Sequence, residues 1–145
     1  MLKFSANISM LFKEYNFLER FEAAKNSGFG AVEIQFPYNF LASDLLTVKE
    51  NTGMEISVIN IGVGDLLSGG PGIAAVPGRE DLFRAAVQQA LGYAEILKPL
   101  NINVLPGWPP MDQFGRGECL DVLANNLRYA ADRLSHTGAK VLVEA

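Results

Sequence analysis

Apolar positions along the chain switch repeatedly between two periods. Phe4 to Leu11 is a short β-rich run. Phe17, Leu18, Phe21 and Ala24 then fall at i, i+1, i+4 and i+7, one apolar stripe of a helix that stops at Asn26-Ser27-Gly28. Ala31 to Phe36 predicts a second strand. Ser43 and Asp44 are candidate caps for a second helix carrying Leu45, Leu46 and Val48, which stops at Asn51-Thr52-Gly53. Glu55 to Ile61 predicts a third strand, followed by a Gly-rich loop from Gly62 to Gly78. A third helix is expected from about Glu80 to Leu97, with Leu82, Phe83, Ala86, Val87, Ala90 and Ala94 on its buried face. Pro99 blocks its continuation. Asn101 to Leu105 predicts a fourth strand and is followed by a Gly/Pro loop through Gly117. Leu120, Leu123, Leu127, Ala130 and Leu134 mark a fourth helix that stops at His136-Thr137-Gly138. Lys140 to Glu144 predicts a fifth strand.

The order is (βα)₄β, and the stops NSG, NTG and HTG make it a weak internal repeat. Strands alternating with helices imply an α/β fold with a parallel sheet and right-handed crossovers. The strands read as apolar on both faces, as covered parallel strands do. Two architectures fit: an open doubly wound sheet, or part of a (β/α)₈ barrel. No glycine lies between Ser9 and Phe17, where a doubly wound nucleotide-binding fold would carry its phosphate loop. Five strands of this kind do not close a barrel, which takes about eight. The expectation is therefore one domain over residues 1–145, the N-terminal half of a (β/α)₈ barrel. Its first and fifth strands would be apolar sheet edges, so either a homo-oligomer or a longer parent protein is expected.

Composition narrows the function. Hydrophobic residues make up 49% of the 145, enough for a packed core. The net charge of −4 with scattered Lys and Arg argues against a nucleic-acid partner. Cys119 is the only cysteine, which suits a reducing, cytoplasmic setting without disulfides. Glu14 closely follows the apolar N-terminal run, so no secretory leader is expected. No stretch approaches the ~20 apolar residues of a membrane span.

Five separated segments carry a family resemblance: FSANISMLFKEYNFLERFEAAKNSGFGAVEIQFPY (4–38), INIGVGD (59–65), GIAAVPGRE (72–80), NNLRYAA (125–131) and VLVEA (141–145). Together they resemble the N-terminal half of the hydroxypyruvate isomerase family, among the xylose isomerase-like (β/α)₈ barrels. The resemblance implies an isomerase that interconverts hydroxypyruvate and tartronate semialdehyde through an enediol. It implies a divalent metal, Mg²⁺ or Mn²⁺, and a small hydroxy-acid, keto-acid or sugar substrate. It also implies two glutamates at the ends of the fifth and eighth strands that flank the metal and move the proton. Glu144 matches the first of these; the second, and the remaining ligands, would lie beyond Ala145. The 145-residue stretch alone is then expected to be inactive.

Glu144 closes the apolar run VLV and is the candidate catalytic residue and metal ligand. A carboxylate is a hard oxygen ligand and can also act as a base. The competing reading is a solvated terminal carboxylate. Glu33 lies between Val32 and Ile34, and burying its charge requires a partner. It is either a substrate-pocket residue, as the resemblance implies, or a structural carboxylate bonded to Arg or Lys. Asn7 and Asn60 sit at strand ends and can hold substrate oxygens; the alternative is an Asn bonding its own backbone. Arg79, at the end of a loop far longer than the usual βα connection, can clamp a substrate carboxylate or form a structural salt bridge. Trp108 is read as a packing residue near the pocket, Cys119 as a small buried hydrophobe and His136 as a helix-end cation. Some members of the resembled family carry a histidine near position 59, where this chain has Ile59, so the substrate stays open.

Two other functions stay on the table. A metal-dependent endonuclease of the same superfamily would need several histidine ligands and a basic face, against one histidine and an acidic balance. A non-catalytic half-barrel, surviving as a fragment or in an assembly of halves, is the other.

Overall fold

The apolar runs read above become strands because their alternate residues are buried under helices. A computed structural model describes residues 3–144. Its strands are β1 (Ser5–Asn7), β2 (Ala31–Ile34), β3 (Glu55–Asn60), β4 (Asn101–Val104) and β5 (Lys140–Val143). They form one sheet in the order β1-β2-β3-β4-β5, every neighbouring pair parallel. Between them run α1 (Arg20–Asn26), α2 (Ala42–Thr52), α3 (Glu80–Leu97) and α4 (Arg116–Leu134). When each strand pairs with the next in sequence, right-handed crossovers put all the connecting helices on the same face. The core agrees: Ala6, Ile8, Val32, Ile34, Ile56, Ile59, Ile102 and Val104 lie buried with Phe21 and Ala24 of α1, Leu45 of α2, Phe83 and Val87 of α3, and Ala130 and Leu134 of α4. The (βα)₄β order of half a barrel is therefore present.

Three sequence expectations need correction. The strands are not apolar on both faces. Asn7, Glu33, Asn101 and Asn103 alternate with the buried aliphatics, because only one face of the sheet is covered by helices. The uncovered face is thus largely polar, and the exposed apolar side chains of the sheet are Leu142 and Val143 on edge strand β5. Ser43 and Asp44 do not cap α2. The helix starts at Ala42 after Leu41, and Asp44 sits in its first turn, where its charge favours the positive end of the helix dipole. Leu82 and Leu120 are exposed, at the solvent edge of the stripes on α3 and α4.

The repeated Ser/Thr-Gly stops work as predicted. Gly28, Gly53 and Gly138 take φ of +88°, +70° and +80°, left-handed backbone that side chains resist. In β3 the register shifts opposite Val32 and Glu33, leaving Ser57 as an extra residue. The Ser57 hydroxyl donates to the Val32 carbonyl at 3.0 Å. Cys119 is buried and free, and His136 is exposed beside Glu95 at 3.1 Å. No described helix is long and apolar enough to cross a membrane.

Candidate active-site cleft at the strand ends

Parallel strands all end on the same side, so residues at their C-terminal ends converge. Here they line a cleft of about 760 Å³ on the polar face of the sheet. Asn7 ends β1, Glu33 lies in β2, Asn60 ends β3, and Glu144 follows β5; all four line this cleft, with Gln35 beside them. Leu105, Pro106, Gly107 and Trp108 from the β4–α4 loop, Met10, Leu66, and Leu120 and Leu123 of α4 complete its wall.

The polar groups are wired together. Asn7 bonds its own loop, one of the two readings the sequence left open, and also reaches Glu33. Its Oδ1 accepts from its own loop, the Ser9 amide at 3.1 Å, and its Nδ2 donates to Glu33 Oε1 at 2.9 Å. Among the described residues Glu33 has neither Arg nor Lys as a partner; an amide supports it instead. Its pKa is raised, first by partial burial and then by the Glu144 carboxylate. Asn60 is buried and does not bond its own backbone through its side chain: its Oδ1 accepts from Asn103 Nδ2 at 3.2 Å. Asn103 Nδ2 also donates to Glu144 Oε2 at 2.9 Å. The Tyr38 hydroxyl donates to the Asn60 carbonyl, and burial raises the pKa of that phenol. Tyr93 packs edge-on against Tyr38 and donates to the Phe40 carbonyl at 2.7 Å.

The raised Glu33 pKa predicts a pH effect. A carboxyl whose folded pKa is raised stabilises the fold most when protonated, below the ordinary carboxylate range. That contribution is lost as pH rises through the folded value. Glu33→Gln keeps an acceptor for Asn7 and removes the charge. The variant should therefore be more stable than wild type near pH 8 and no more stable near about pH 4. Urea denaturation of both proteins across this range checks it; a difference independent of pH would contradict the assignment.

Arg79 is placed elsewhere. Its guanidinium donates to both oxygens of Asp65 at 2.9 Å and to the Gly72 carbonyl at 3.0 Å. Asp65 also accepts from the Gly72 amide at 3.0 Å, and these bonds hold its pKa below the usual carboxylate range. Arg79 therefore folds the β3–α3 loop on itself and borders a separate cleft of about 630 Å³ between the two long loops. The same loop buries Ile73 to Val76, and buried Asn126 of α4 donates to the Ala74 carbonyl at 2.9 Å.

The two loops are joined at one point. The Trp108 amide donates to the Pro71 carbonyl at 2.9 Å. Gly107, at φ +82°, lets the chains approach so closely that a Cβ there would lie 2.3 Å from the Pro71 oxygen. Trp108 itself is 80% exposed, so it does not fill the packing role read from sequence; the residue borders both clefts. Gly107→Ala should separate the loops and cost about 1–3 kcal/mol, combining backbone strain with the clash. Trp108 is the only tryptophan, so its emission together with the denaturation midpoint reads this directly. Wild-type values for both would refute it.

Asn103, Tyr38 and Asn126 were not singled out by sequence reasoning. For Asn103 the signal was available: Asn101-Ile-Asn103-Val alternates with the β period, which puts both amides on the face opposite the core. Among the described residues no group of three or more His, Cys, Asp or Glu side chains is arranged to hold a metal. Glu144 and Glu33 bring two carboxylates to the cleft, hard oxygen donors that fit part of a Mg²⁺ or Mn²⁺ shell.

Comparison with known proteins agrees with this architecture. The family model described as xylose isomerase-like TIM barrel matches residues 21–145. The chain is 43% identical over 144 residues to hydroxypyruvate isomerase of Escherichia coli K12, covering 99% of this chain and 55% of that protein. It is 39% identical to 2-oxo-tetronate isomerase of Cupriavidus necator, again over 99% of this chain and 55% of that protein. A crystal structure described as an AP endonuclease, family 2, from Brucella melitensis superposes with a TM-score of 0.91 at 38% identity, over 99% of this chain and 55% of that one. The chain spans about half the length of the curated relatives it matches.

Proposed function

We propose, for a chain that belongs to the xylose isomerase-like TIM barrel family, that the whole protein is an isomerase interconverting a small 2-keto acid and its aldehyde isomer, with hydroxypyruvate and tartronate semialdehyde as the pair. The observation that carries the proposal is Glu144. It lies at the C-terminal end of a parallel strand, on a cleft, with one carboxylate oxygen held by Asn103. Relatives named hydroxypyruvate isomerase and 2-oxo-tetronate isomerase support the same class.

The chemistry asked of these residues is a proton shift between adjacent carbons. Hydroxypyruvate loses a proton from its hydroxymethyl carbon to the Glu144 carboxylate. The electron pair moves to form the C=C bond of an enediol as the carbonyl oxygen takes up a proton. The carbon that bore the carbonyl then accepts a proton, and the hydroxyl proton on the terminal carbon leaves to give the aldehyde. A carboxylate in this role contributes about 10²–10⁴-fold. Asn7, Asn60 and Gln35 present amides that can hold the substrate's hydroxyl and carbonyl oxygens. A bound Mg²⁺ or Mn²⁺ would polarise the carbonyl, with Glu144 among its ligands.

The experiment mixes hydroxypyruvate with the whole protein and follows tartronate semialdehyde, before and after EDTA. Turnover lost with chelation and restored by Mn²⁺ or Mg²⁺ is expected. Absence of interconversion in both directions with either ion present would end the reading. An endonuclease has less support here, despite the description of the Brucella structure. Within these 145 residues the one histidine, His136, pairs with Glu95 and does not line the cleft.

A further inference from the structure

The Asn103 side chain is 4% exposed, and its Nδ2 is shared between Asn60 Oδ1 and Glu144 Oε2. Its own Oδ1 is buried without a hydrogen-bond partner among the described residues. That combination is informative. Rotating the amide by half a turn would place Oδ1 against two acceptors, so the orientation is fixed by chemistry. A buried acceptor left unpaired destabilises the fold. An apolar side chain of similar shape would remove that penalty and leave one like it at Asn60 Oδ1, so packing alone gives little reason for an amide here.

Resting on the role of Glu144 given above, we infer that Asn103 is a positioning residue that aims the Glu144 carboxylate into the cleft. The relay begins at rigid backbone. The Asn60 amide donates to the Gln35 carbonyl at 2.9 Å, and the Asn60 carbonyl accepts from Tyr38. Asn60 Oδ1 then fixes the Asn103 amide, and the second N–H of that amide holds Glu144 Oε2. Glu144 Oε1 accepts no hydrogen bond from a described residue and is the atom left for substrate or metal. Without the relay, a glutamate one residue past the end of β5 would sample several rotamers. Partners of this kind orient a functional carboxylate without touching the reacting atoms.

Two measurements on the whole protein test this. The first is NMR order at the Glu144 γ-carbon in wild type, Asn103→Leu and Asn60→Ala, with the melting temperature of each. Asn103→Leu exchanges one unpaired acceptor for another, so it should melt near wild type and yet lose order at Glu144, an effect that a merely structural role would not produce. Equal order in wild type and Asn103→Leu overturns the inference. Should Asn103→Leu fail to fold, Asn60→Ala decides: partial loss of order supports the relay and wild-type order refutes it. The second is a Mn²⁺ titration followed by paramagnetic broadening. Asn103→Leu should weaken binding by about 10–100-fold. Affinity within about twofold of wild type counts against Asn103. Wild type that binds no Mn²⁺ instead overturns the metal part of the function reading, and the order measurement still settles the role of Asn103.

Discussion

Glu144→Gln is expected to lower isomerase turnover of the whole protein, assayed with saturating Mn²⁺, by about 10²–10⁴-fold while leaving the fold intact, because it removes the base and the charge of a metal-ligand candidate without removing a core contact. The substitution is nearly isosteric, and the new amide oxygen can still accept from Asn103 Nδ2. Among the described residues Glu144 is exposed at the lip of the cleft and makes no core contact. The loss should appear in kcat at saturating substrate, since proton transfer belongs to the transition state and substrate binding is shared with Asn7, Asn60 and Gln35. Glu33→Gln serves as the comparison. Glu33 lines the same cleft, but its Oε1 is bonded to Asn7. A much smaller effect there would separate the two carboxylates. Turnover within twofold of wild type for Glu144→Gln would remove it from the mechanism and leave Glu33 as the carboxylate to examine.

The fold was legible because the chain announces its periods clearly. α3, expected from about Glu80 to Leu97, spans those residues, and the three glycine stops fall at left-handed positions. Once parallel strands are assigned, their C-terminal ends must meet, so Asn7, Glu33, Asn60 and Glu144 could be grouped without coordinates. What sequence did not reveal was pairwise partnership. Arg79 lies fourteen residues after Asp65, and only the folded loop shows that the two bond each other. Asn103 read as one more polar residue in a short strand. Its importance comes from a bond to Glu144 across the β4–β5 pair, a contact that periodicity does not encode. The expectation of strands apolar on both faces failed for a related reason. It applied the pattern of a sheet covered on both sides to one that has helices on a single face.

The largest stability effect is expected from Phe83→Ala, paired with its neighbour Leu82→Ala. Sequence periodicity placed both on the buried face of α3, and the structure separates them: Phe83 is 1% exposed and Leu82 58%. Phe83 sits in the first turn of α3, where its amide donates to the Arg79 carbonyl at 3.1 Å, just after the buried Ile73–Val76 segment. Truncating it removes a fully buried ring and leaves a cavity that the surrounding helices only partly close. Such changes cost about 3–5 kcal/mol. Against a total stability of about 5–15 kcal/mol for an ordinary domain, that is a large fraction. At roughly 3 °C per kcal/mol for a chain of this size, the melting temperature should fall by about 10–15 °C. Leu82→Ala should stay within about 0.5 kcal/mol of wild type, as surface substitutions do. Neither residue lines the cleft, so loss of function in Phe83→Ala should track unfolding alone. Denaturation midpoints of the two variants measured side by side decide the matter. Equal losses, or a Phe83→Ala cost below about 1 kcal/mol, would show that the buried face of α3 has been assigned to the wrong residues.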